Sequence, residues 1–319
     1  MRDHVRMSAP QRIVSLLPSA TELLFAIGAG DQVVAVTHEC DHPAACRGLP
    51  VVTRNLIDHG GNAPATIDRH ITVARHQGSS IYALDEARLH QLRPDLIVTQ
   101  ELCDVCAVAY RDVAQAVRRL PGPTQVLSLE PSSLGDIADT AITLGMATGR
   151  AEGAGRLAAQ LRDRIAAVES QPKPSPRPIT VCIEWTDPIM VGGHWVPEMV
   201  ERAGGVDSLG QQGDPSRYVD WEAIVAVQPE VMVLMPCGFG LDRTLDLSSE
   251  ITARPGFAEL PCARAARVVA VDGSSYFNRP GPRIADGLEM LAAILRARPG
   301  SALPRGAEWV QPAQRAALA

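Results

Sequence analysis

The sequence predicts an α/β fold with two lobes, each built on a mainly parallel β-sheet, and one long helix that joins them. Three observations predict this fold. Short apolar and β-branched runs alternate with helical patterns, which is typical of βαβ units. One segment is repeated in the two halves of the chain, and an uninterrupted helical pattern lies between the halves. We therefore expect two similar α/β lobes.

Length and composition agree with a folded chain of about two domains. The chain has 319 residues, of which 46% are hydrophobic and 21% are charged. Its formal charge of −6 provides no basic surface for a phosphate backbone, so we expect no nucleic-acid partner. We also expect no membrane insertion, because the chain contains no run of about 20 apolar residues.

The cysteines and the N-terminal residues bear on localisation. Seven cysteines, an odd number, make a poor disulfide framework and favour a reducing compartment. The first residues show no apolar run of signal-peptide length that ends at a cleavage site. The sequence therefore predicts a cytoplasmic protein, or a periplasmic one if a leader has been removed.

The first lobe is assigned to residues 11–149 and the second to residues 171–300. In the first lobe we place strands at residues 12–17, 32–36, 95–99 and 125–129, and in the second at 179–184, 230–234 and 267–271. A bridging helix is predicted over residues 150–170, because residues 156–169 contain neither proline nor glycine. The tail, residues 301–319, shows no clear pattern, and we expect part of it to be disordered.

The repeated segment occupies residues 84–100 and 219–235. Each copy predicts a helix, then a proline one residue before an acid, then a buried strand. Glu86 and Glu222 lie in the first turns of the two helices, where a carboxylate complements the helix dipole. Pro94 and Pro229 end the helices. One supersecondary unit is therefore used twice.

Four segments carry a resemblance to a known family. They are "RIVSLLPSATELLFAIGAGDQVVAVT", "LRPDLIVTQ", "PIMVGGHWVPEMVERAGG" and "SSYFNRPGPRIADGLEMLAAIL". These segments resemble the helical-backbone substrate-binding proteins of ABC importers, which bind cobalamin, haem or siderophores. "THECDHP" and "TQELCDVCAV" are most similar to the cobalamin-binding, BtuF-like subgroup, in a branch that often lacks a leader. The resemblance covers about residues 11–298.

The resemblance implies two Rossmann-like lobes with the ligand in the cleft at the carboxyl ends of both sheets, where open α/β sheets bind ligands. It also implies a binding protein rather than an enzyme, with cobalamin or another corrinoid such as cobinamide as ligand. Haem, an iron–siderophore or a metal ion is the alternative within this class. The polar candidates for ligand contact, which lie just after predicted strands or in the loops that follow them, are Ser19, His38, Glu39, Glu101, His194 and Asn278.

Aromatic side chains are the second group of candidates. Aromatic residues make up 4% of the chain, and most of them fall at predicted loop edges. Flat rings and a few hydrogen-bond donors would suit a broad apolar corrin ring. The aromatic candidates are Tyr82, Trp185, Trp195, Tyr218, Phe239 and Tyr276. Trp195 could equally anchor a helix in the core.

A cysteine and histidine set suggests a metal site. His38 and Cys40 follow one predicted strand, and Cys103 and Cys106 follow another. If these strands are neighbours, three thiolates and an imidazole could bind zinc or another metal that prefers soft ligands. The alternatives are buried cysteines that only pack, a redox pair, or a metalloenzyme that uses this group.

Two further interpretations complete the functional analysis. The resemblance implies that Glu86 and Glu222 dock on arginines of an ABC permease, although both acids could simply complement helix dipoles. Enzyme motifs are weak: the sequence contains no G-x-S-x-G, no P-loop and no H-E-x-x-H. A dehydrogenase-like or nitrogenase-like enzyme is the rival class.

Overall fold

The structure, a computed structural model, describes residues 9–57, 61–76, 81–100 and 110–311. It confirms the α/β fold class, with parallel strands and intervening helices. The chain divides into two compact units. The first contains the described parts of residues 1–62, 69–130 and 136–160, and the second those of residues 63–68, 131–135 and 161–319.

The described residues of the first half of the chain form six strands and six helices. The strands are β1 (Ile13–Ser15), β2 (Val33–Ala35), β3 (Thr53–Asn55), β4 (Tyr82–Leu84), β5 (Leu96–Thr99) and β6 (Gln125–Ser128). The helices are α1 (Pro18–Ala26), α2 (Pro64–His76), α3 (Glu86–Leu92), α4 (Tyr110–Val117), α5 (Leu134–Thr148) and α6 (Ala151–Glu169). Shorter 3₁₀ turns lie at Gly30–Gln32 and Ala44–Gly48.

The four predicted strands of the first unit form one parallel sheet in the order β2-β1-β5-β6. Both β1 and β5 are fully buried, which explains their continuous apolar sequences. Because all four strands run in the same direction, their carboxyl ends lie at one edge. The segments that follow β1, β2 and β5 therefore begin at the same edge.

A two-stranded antiparallel ribbon, β3–β4, was not predicted. Its register pairs Thr53 with Leu84 and Asn55 with Tyr82. The backbone of Val52 donates to the carbonyl of Val36, just after β2, at 3.0 Å. The ribbon is therefore attached beside the carboxyl end of β2.

Up to residue 311, the second half of the chain forms seven strands and six helices. The strands are β7 (Ile179–Thr186), β8 (Ile189–Val191), β9 (Val206–Asp207), β10 (Arg217–Tyr218), β11 (Val231–Leu234), β12 (Val268–Val271) and β13 (Ala307–Trp309). The helices are α7 (Val196–Ala203), α8 (Trp221–Val227), α9 (Leu241–Thr252), α10 (Pro261–Arg264), α11 (Gly273–Tyr276) and α12 (Ile284–Arg296), with a 3₁₀ turn at Phe257–Glu259.

The second sheet is mixed rather than mainly parallel. Its order is β10-β8-β7-β11-β12-β13, and β9 pairs with β7. The predicted strands β7, β11 and β12 are parallel, whereas β8, β10 and β13 pair antiparallel. Its hydrophobic core packs Ile183, Leu234 and Ala270 against Trp221 and Leu260. The parallel centre was predictable because its strands are continuous buried apolar runs.

The repeated segment has the same backbone in both copies. Helices α3 and α8 each end at a residue in the left-handed conformation, Arg93 at φ 47° and Gln228 at φ 49°. Each is followed by the predicted proline and then by a buried parallel strand. The similarity of the two sequences therefore reflects one local structure.

Helix α6 confirms the uninterrupted helix, and its residues are divided between the two units. Residues 301–311 of the tail include the strand β13, which pairs with β12, and the rest of the tail, for which partial disorder stays a prediction, lies outside the described residues. The sequence did not predict β13 because Ala307–Trp309 is not a continuous apolar run. Within the described residues, no helix is long and apolar enough to cross a membrane.

Candidate functional site

His38 lies just after β2, at the carboxyl edge of the first sheet. Its ring Nδ1 is 2.8 Å from the Thr53 hydroxyl, and its backbone N–H donates to the same oxygen at 3.1 Å. The ring centroid of Tyr82 is 5.4 Å away. Burial lowers the pKa of His38, and the nearby Glu39 carboxylate opposes this shift only partly. The imidazole is therefore fixed by the ribbon and favoured in its neutral form.

Cys40 belongs to a small buried polar cluster next to His38. Its Sγ lies 3.1 Å from the hydroxyls of both Thr21 and Thr37, and the Thr21 hydroxyl also donates to Ser15. Cys40 is 9% exposed. Its sulfur is therefore surrounded by hydroxyl groups rather than by apolar side chains alone.

The other proposed metal ligands, Cys103 and Cys106, lie outside the described residues, and so does Glu101. Among the described residues, no group of three His, Cys, Asp or Glu side chains could hold a metal ion. Cys46, Cys182, Cys237 and Cys262 are free thiols. The Cys₃His site therefore stays a prediction. Of its four ligands, the structure describes His38 and Cys40, which lie in the turn after β2.

In the second unit, two aromatic candidates stack at the carboxyl edge of the sheet. Trp185 lies near the end of β7, and Phe239 follows β11; their ring centroids are 5.6 Å apart and the rings are inclined by 18°. The guanidinium of Arg243 lies 5.8 Å from the Phe239 ring. The buried indole N–H of Trp185 has no hydrogen-bond partner among the described residues.

His194 and Trp195 lie immediately before α7, and the structure gives them different environments. His194 is half-buried with a left-handed backbone, φ 51°, and desolvation lowers its pKa. Trp195 is 5% exposed and donates its indole N–H to the carbonyl of Phe277 at 2.8 Å. Trp195 thus has the contacts of a core anchor, and ligand binding by either residue stays a prediction.

Tyr276 and Asn278 follow β12 at the same edge of the second sheet. The guanidinium of Arg283 lies 5.9 Å from the Tyr276 ring. The side-chain amide of Asn278 donates to the carbonyl of Met235 at 3.4 Å, while its oxygen is buried and accepts no hydrogen bond within the described chain. Both residues are half-buried.

The remaining three candidates differ in exposure. Ser19 is buried at the start of α1, and Tyr82 is buried on the ribbon. Tyr218, on β10, is 54% exposed, and its hydroxyl donates to the carboxylate of Asp68 at 2.6 Å. The two tyrosines, which lie just before the two repeated segments, therefore differ in burial.

Glu86 and Glu222 occupy the first turns of α3 and α8, as predicted, and both are exposed. Each borders a surface hollow. Glu86 lines one of about 260 Å³ and pairs with Arg119 at 2.8 Å. Glu222 lines one of about 490 Å³ together with Trp221 and Arg254. The repeated segments therefore give each unit an exposed acid beside an apolar hollow and an arginine.

Sequence reasoning missed Thr53, which orients His38. The available signal was the β-branched run Val51 to Thr53, bounded by Pro50 and Asn55, which is typical of a strand. The partner strand β4 lies 26 residues beyond β3. The pairing, and with it the role of Thr53, was therefore not visible from the run itself.

The fold and these residues can now be compared with known proteins. The sequence profile described as "Periplasmic binding protein" matches residues 13–274, most of the chain. The chain belongs to the periplasmic binding protein family. This result confirms the resemblance to the substrate-binding class on which the functional expectations rest.

Relatives of this periplasmic binding protein have more than one named ligand. The vitamin B12-binding protein of Vibrio cholerae is 27% identical over 289 residues, covering 90% of this chain and 89% of the relative. Two solved structures are similar at a TM-score of 0.65. The periplasmic vitamin B12 binding protein BtuF of Vibrio cholerae is 23% identical and covers 90% of this chain and 97% of its own. The haem-binding RhuT of Roseiflexus sp. RS-1 is 24% identical and covers 89% and 97%.

These relatives are binding proteins, which supports, at the level of the family, the expectation that this periplasmic binding protein is not an enzyme. The two structures show the fold alone, because their identities are below 25%. The family is described as periplasmic, so the cytoplasmic localisation finds no support in the comparisons.

Proposed function

We propose that this chain binds a corrinoid, cobalamin or cobinamide, without transforming it, as the substrate-binding protein of an ABC importer. The observation that carries the proposal is the similarity over nine-tenths of the chain to a protein named for vitamin B12 binding. Haem is the second candidate, because a structure named for haem binding has the same TM-score as the vitamin B12 binding protein.

The chemistry of the described residues supports a broad, largely apolar ligand. Trp185 and Phe239 supply a stacked pair at the carboxyl edge of the second sheet, and Tyr276 lies at the same edge. The buried amide oxygen of Asn278 and the indole N–H of Trp185 have no partner in the described chain. Aromatic faces with an adjacent donor and acceptor suit a corrin ring fringed by amides.

Visible absorption titrations with cobalamin, cobinamide and haemin test the proposal. We expect saturable spectral changes with a corrinoid and a weaker response to haemin. Tyr218→Ala and Tyr276→Ala should each weaken corrinoid binding by about 1–3 kcal/mol, because a buried aromatic contact is lost. Trp309→Ala is the control, since it changes an aromatic residue outside the proposed contacts. If only haemin gives saturable binding, the proposed ligand is haem rather than a corrinoid.

For partner docking, we propose that Glu86 and Glu222 bind arginines of an ABC permease. Both acids are exposed in the first turns of α3 and α8, and Glu86 already pairs with one arginine, Arg119. Replacing both acids by glutamine should abolish stimulation of the importer's ATPase by the loaded protein while ligand affinity is unchanged. Asp242→Asn, on another exposed helix turn, is the control. If stimulation of the ATPase is unchanged, the two acids only complement the helix dipoles and do not dock on the permease.

A separate proposal is a Cys/His metal site that includes two residues of the turn after β2. His38, Cys40, Cys103 and Cys106 would hold one zinc ion, with the cysteines as thiolates. Elemental analysis of protein purified without a metal-affinity tag should then give about one equivalent of metal. The double variant Cys103→Ser, Cys106→Ser should lose it. If the native protein contains no metal, the cysteines only pack within the fold.

A further inference from the structure

Within the described residues, the His38 ring is held by a hydrogen bond at one nitrogen, Nδ1. The buried residue Thr53, on ribbon strand β3, places its hydroxyl 2.8 Å from Nδ1 and also accepts the His38 backbone N–H at 3.1 Å. A hydroxyl oxygen has two acceptor sites. It can therefore accept the backbone N–H and a proton on Nδ1 together, which leaves the lone pair of the imidazole on Nε2.

The other ring nitrogen, Nε2, is available to a ligand. The described residues give it no hydrogen bond, and the Glu39 carboxylate oxygen at 3.7 Å lies beyond hydrogen-bonding distance. The side chain is 25% exposed. The ring of Tyr82, 5.4 Å away and inclined by 52°, adds an aromatic surface beside the imidazole.

From this arrangement we infer that His38 coordinates the cobalt of the bound corrinoid through Nε2. The inference rests on the proposed corrinoid function. An imidazole whose far nitrogen is fixed by a protein hydrogen bond is the usual form of a metal-binding histidine. In the step itself, the axial water leaves cobalt and the Nε2 lone pair forms the new bond, with no change in oxidation state. Cobalt and the proposed zinc ion would compete for the same imidazole.

Cobinamide is the probe, because it lacks the nucleotide base that can occupy an axial position in cobalamin. The complex is reduced to cobalt(II) and examined by electron paramagnetic resonance. One axial histidine nitrogen should split the cobalt lines into triplets, and protein labelled with ¹⁵N-histidine should give doublets. His38→Ala should lose the splitting, and added imidazole should restore it. The exposed His70→Ala is the matched control and should keep it.

Thr53→Val tests the orienting hydrogen bond, because valine has the shape of threonine without its hydroxyl. We expect cobinamide affinity to fall about tenfold, as when the outer partner of a metal-bound histidine is removed. Circular dichroism of every variant establishes that it is folded. Cobinamide bound without nitrogen splitting, or splitting that persists in folded His38→Ala, would overturn the inference while the proposed function stands. Calorimetry that detects no corrinoid binding would refute both.

Discussion

Helix α6 contains two glycines that offer a matched pair of substitutions. A Cβ added at Gly153 would lie 2.1 Å from the carbonyl oxygen of Ile27 and 2.9 Å from its carbonyl carbon. A Cβ added at Gly155, two residues further along the same helix, would have nothing within 4 Å. The same change, glycine to alanine, should therefore have opposite effects at the two positions.

The magnitudes follow from packing and helix propensity. Alanine is favoured over glycine inside a helix by about 1 kcal/mol, so Gly155→Ala should raise the free energy of unfolding by up to that amount. At Gly153 the contact is with backbone, which cannot rotate away. Forcing an extra methyl group into a packed site costs about 1–3 kcal/mol, so Gly153→Ala should be destabilising overall.

Urea denaturation followed by circular dichroism measures both variants against the original chain. We expect a lower midpoint for Gly153→Ala and an equal or higher midpoint for Gly155→Ala. If Gly153→Ala is as stable as Gly155→Ala, α6 does not approach the end of α1 as closely as the structure indicates. The close packing that we assign to the start of α6 would then be wrong.

Three further predictions concern single side chains. Thr53→Val should lower the free energy of unfolding by about 1–3 kcal/mol relative to Thr53→Ser, because the His38 N–H loses its acceptor; equal urea midpoints would contradict this. Trp195→Phe should cost about 1–3 kcal/mol, because the buried carbonyl of Phe277 is left without its donor, and thermal unfolding measures the loss. His194 has a lowered folded pKa, so the unfolded chain binds more protons and stability should fall as pH decreases below about 6.5. In His194→Gln, the urea midpoint should fall less between about pH 7 and pH 5; an unchanged pH dependence would argue against this buried, neutral histidine.

Apart from the two-residue β9, the parallel strands of both units could be predicted from the sequence. Runs such as Leu96–Thr99 and Val231–Leu234 are buried on both faces, so their apolar character is continuous and bounded by turns. Helix α6 could also be predicted, because good helix formers fill it. The repeated segment predicted α3 and α8 and the proline that follows each.

The antiparallel additions could not be predicted. Strands β3, β8 and β13 are three residues long, which is too short for a two-residue period to stand out. Their pairing depends on partners distant in the chain, as between β12 and β13. The second sheet therefore proved mixed, and the strand β13 in the tail was not predicted.

The candidate site shows the same limit. The position after β2 identified His38, but its orientation depends on Thr53, which the ribbon brings into contact. The sequence placed Trp195 near a loop edge, whereas its indole N–H is bonded to a core carbonyl. A loop position predicts which residues lie near a sheet edge, and only the tertiary packing decides which of them faces a neighbour.

Calorimetric titration with cobalamin, and with haemin in parallel, determines whether the bound ligand is a corrinoid. We predict saturable binding of cobalamin with a stoichiometry of about one, since one ligand is held by each chain in the proposed function. We also predict a dissociation constant for cobalamin well below that for haemin. Saturable binding of haemin with no heat from cobalamin or cobinamide at high micromolar protein would contradict the corrinoid assignment.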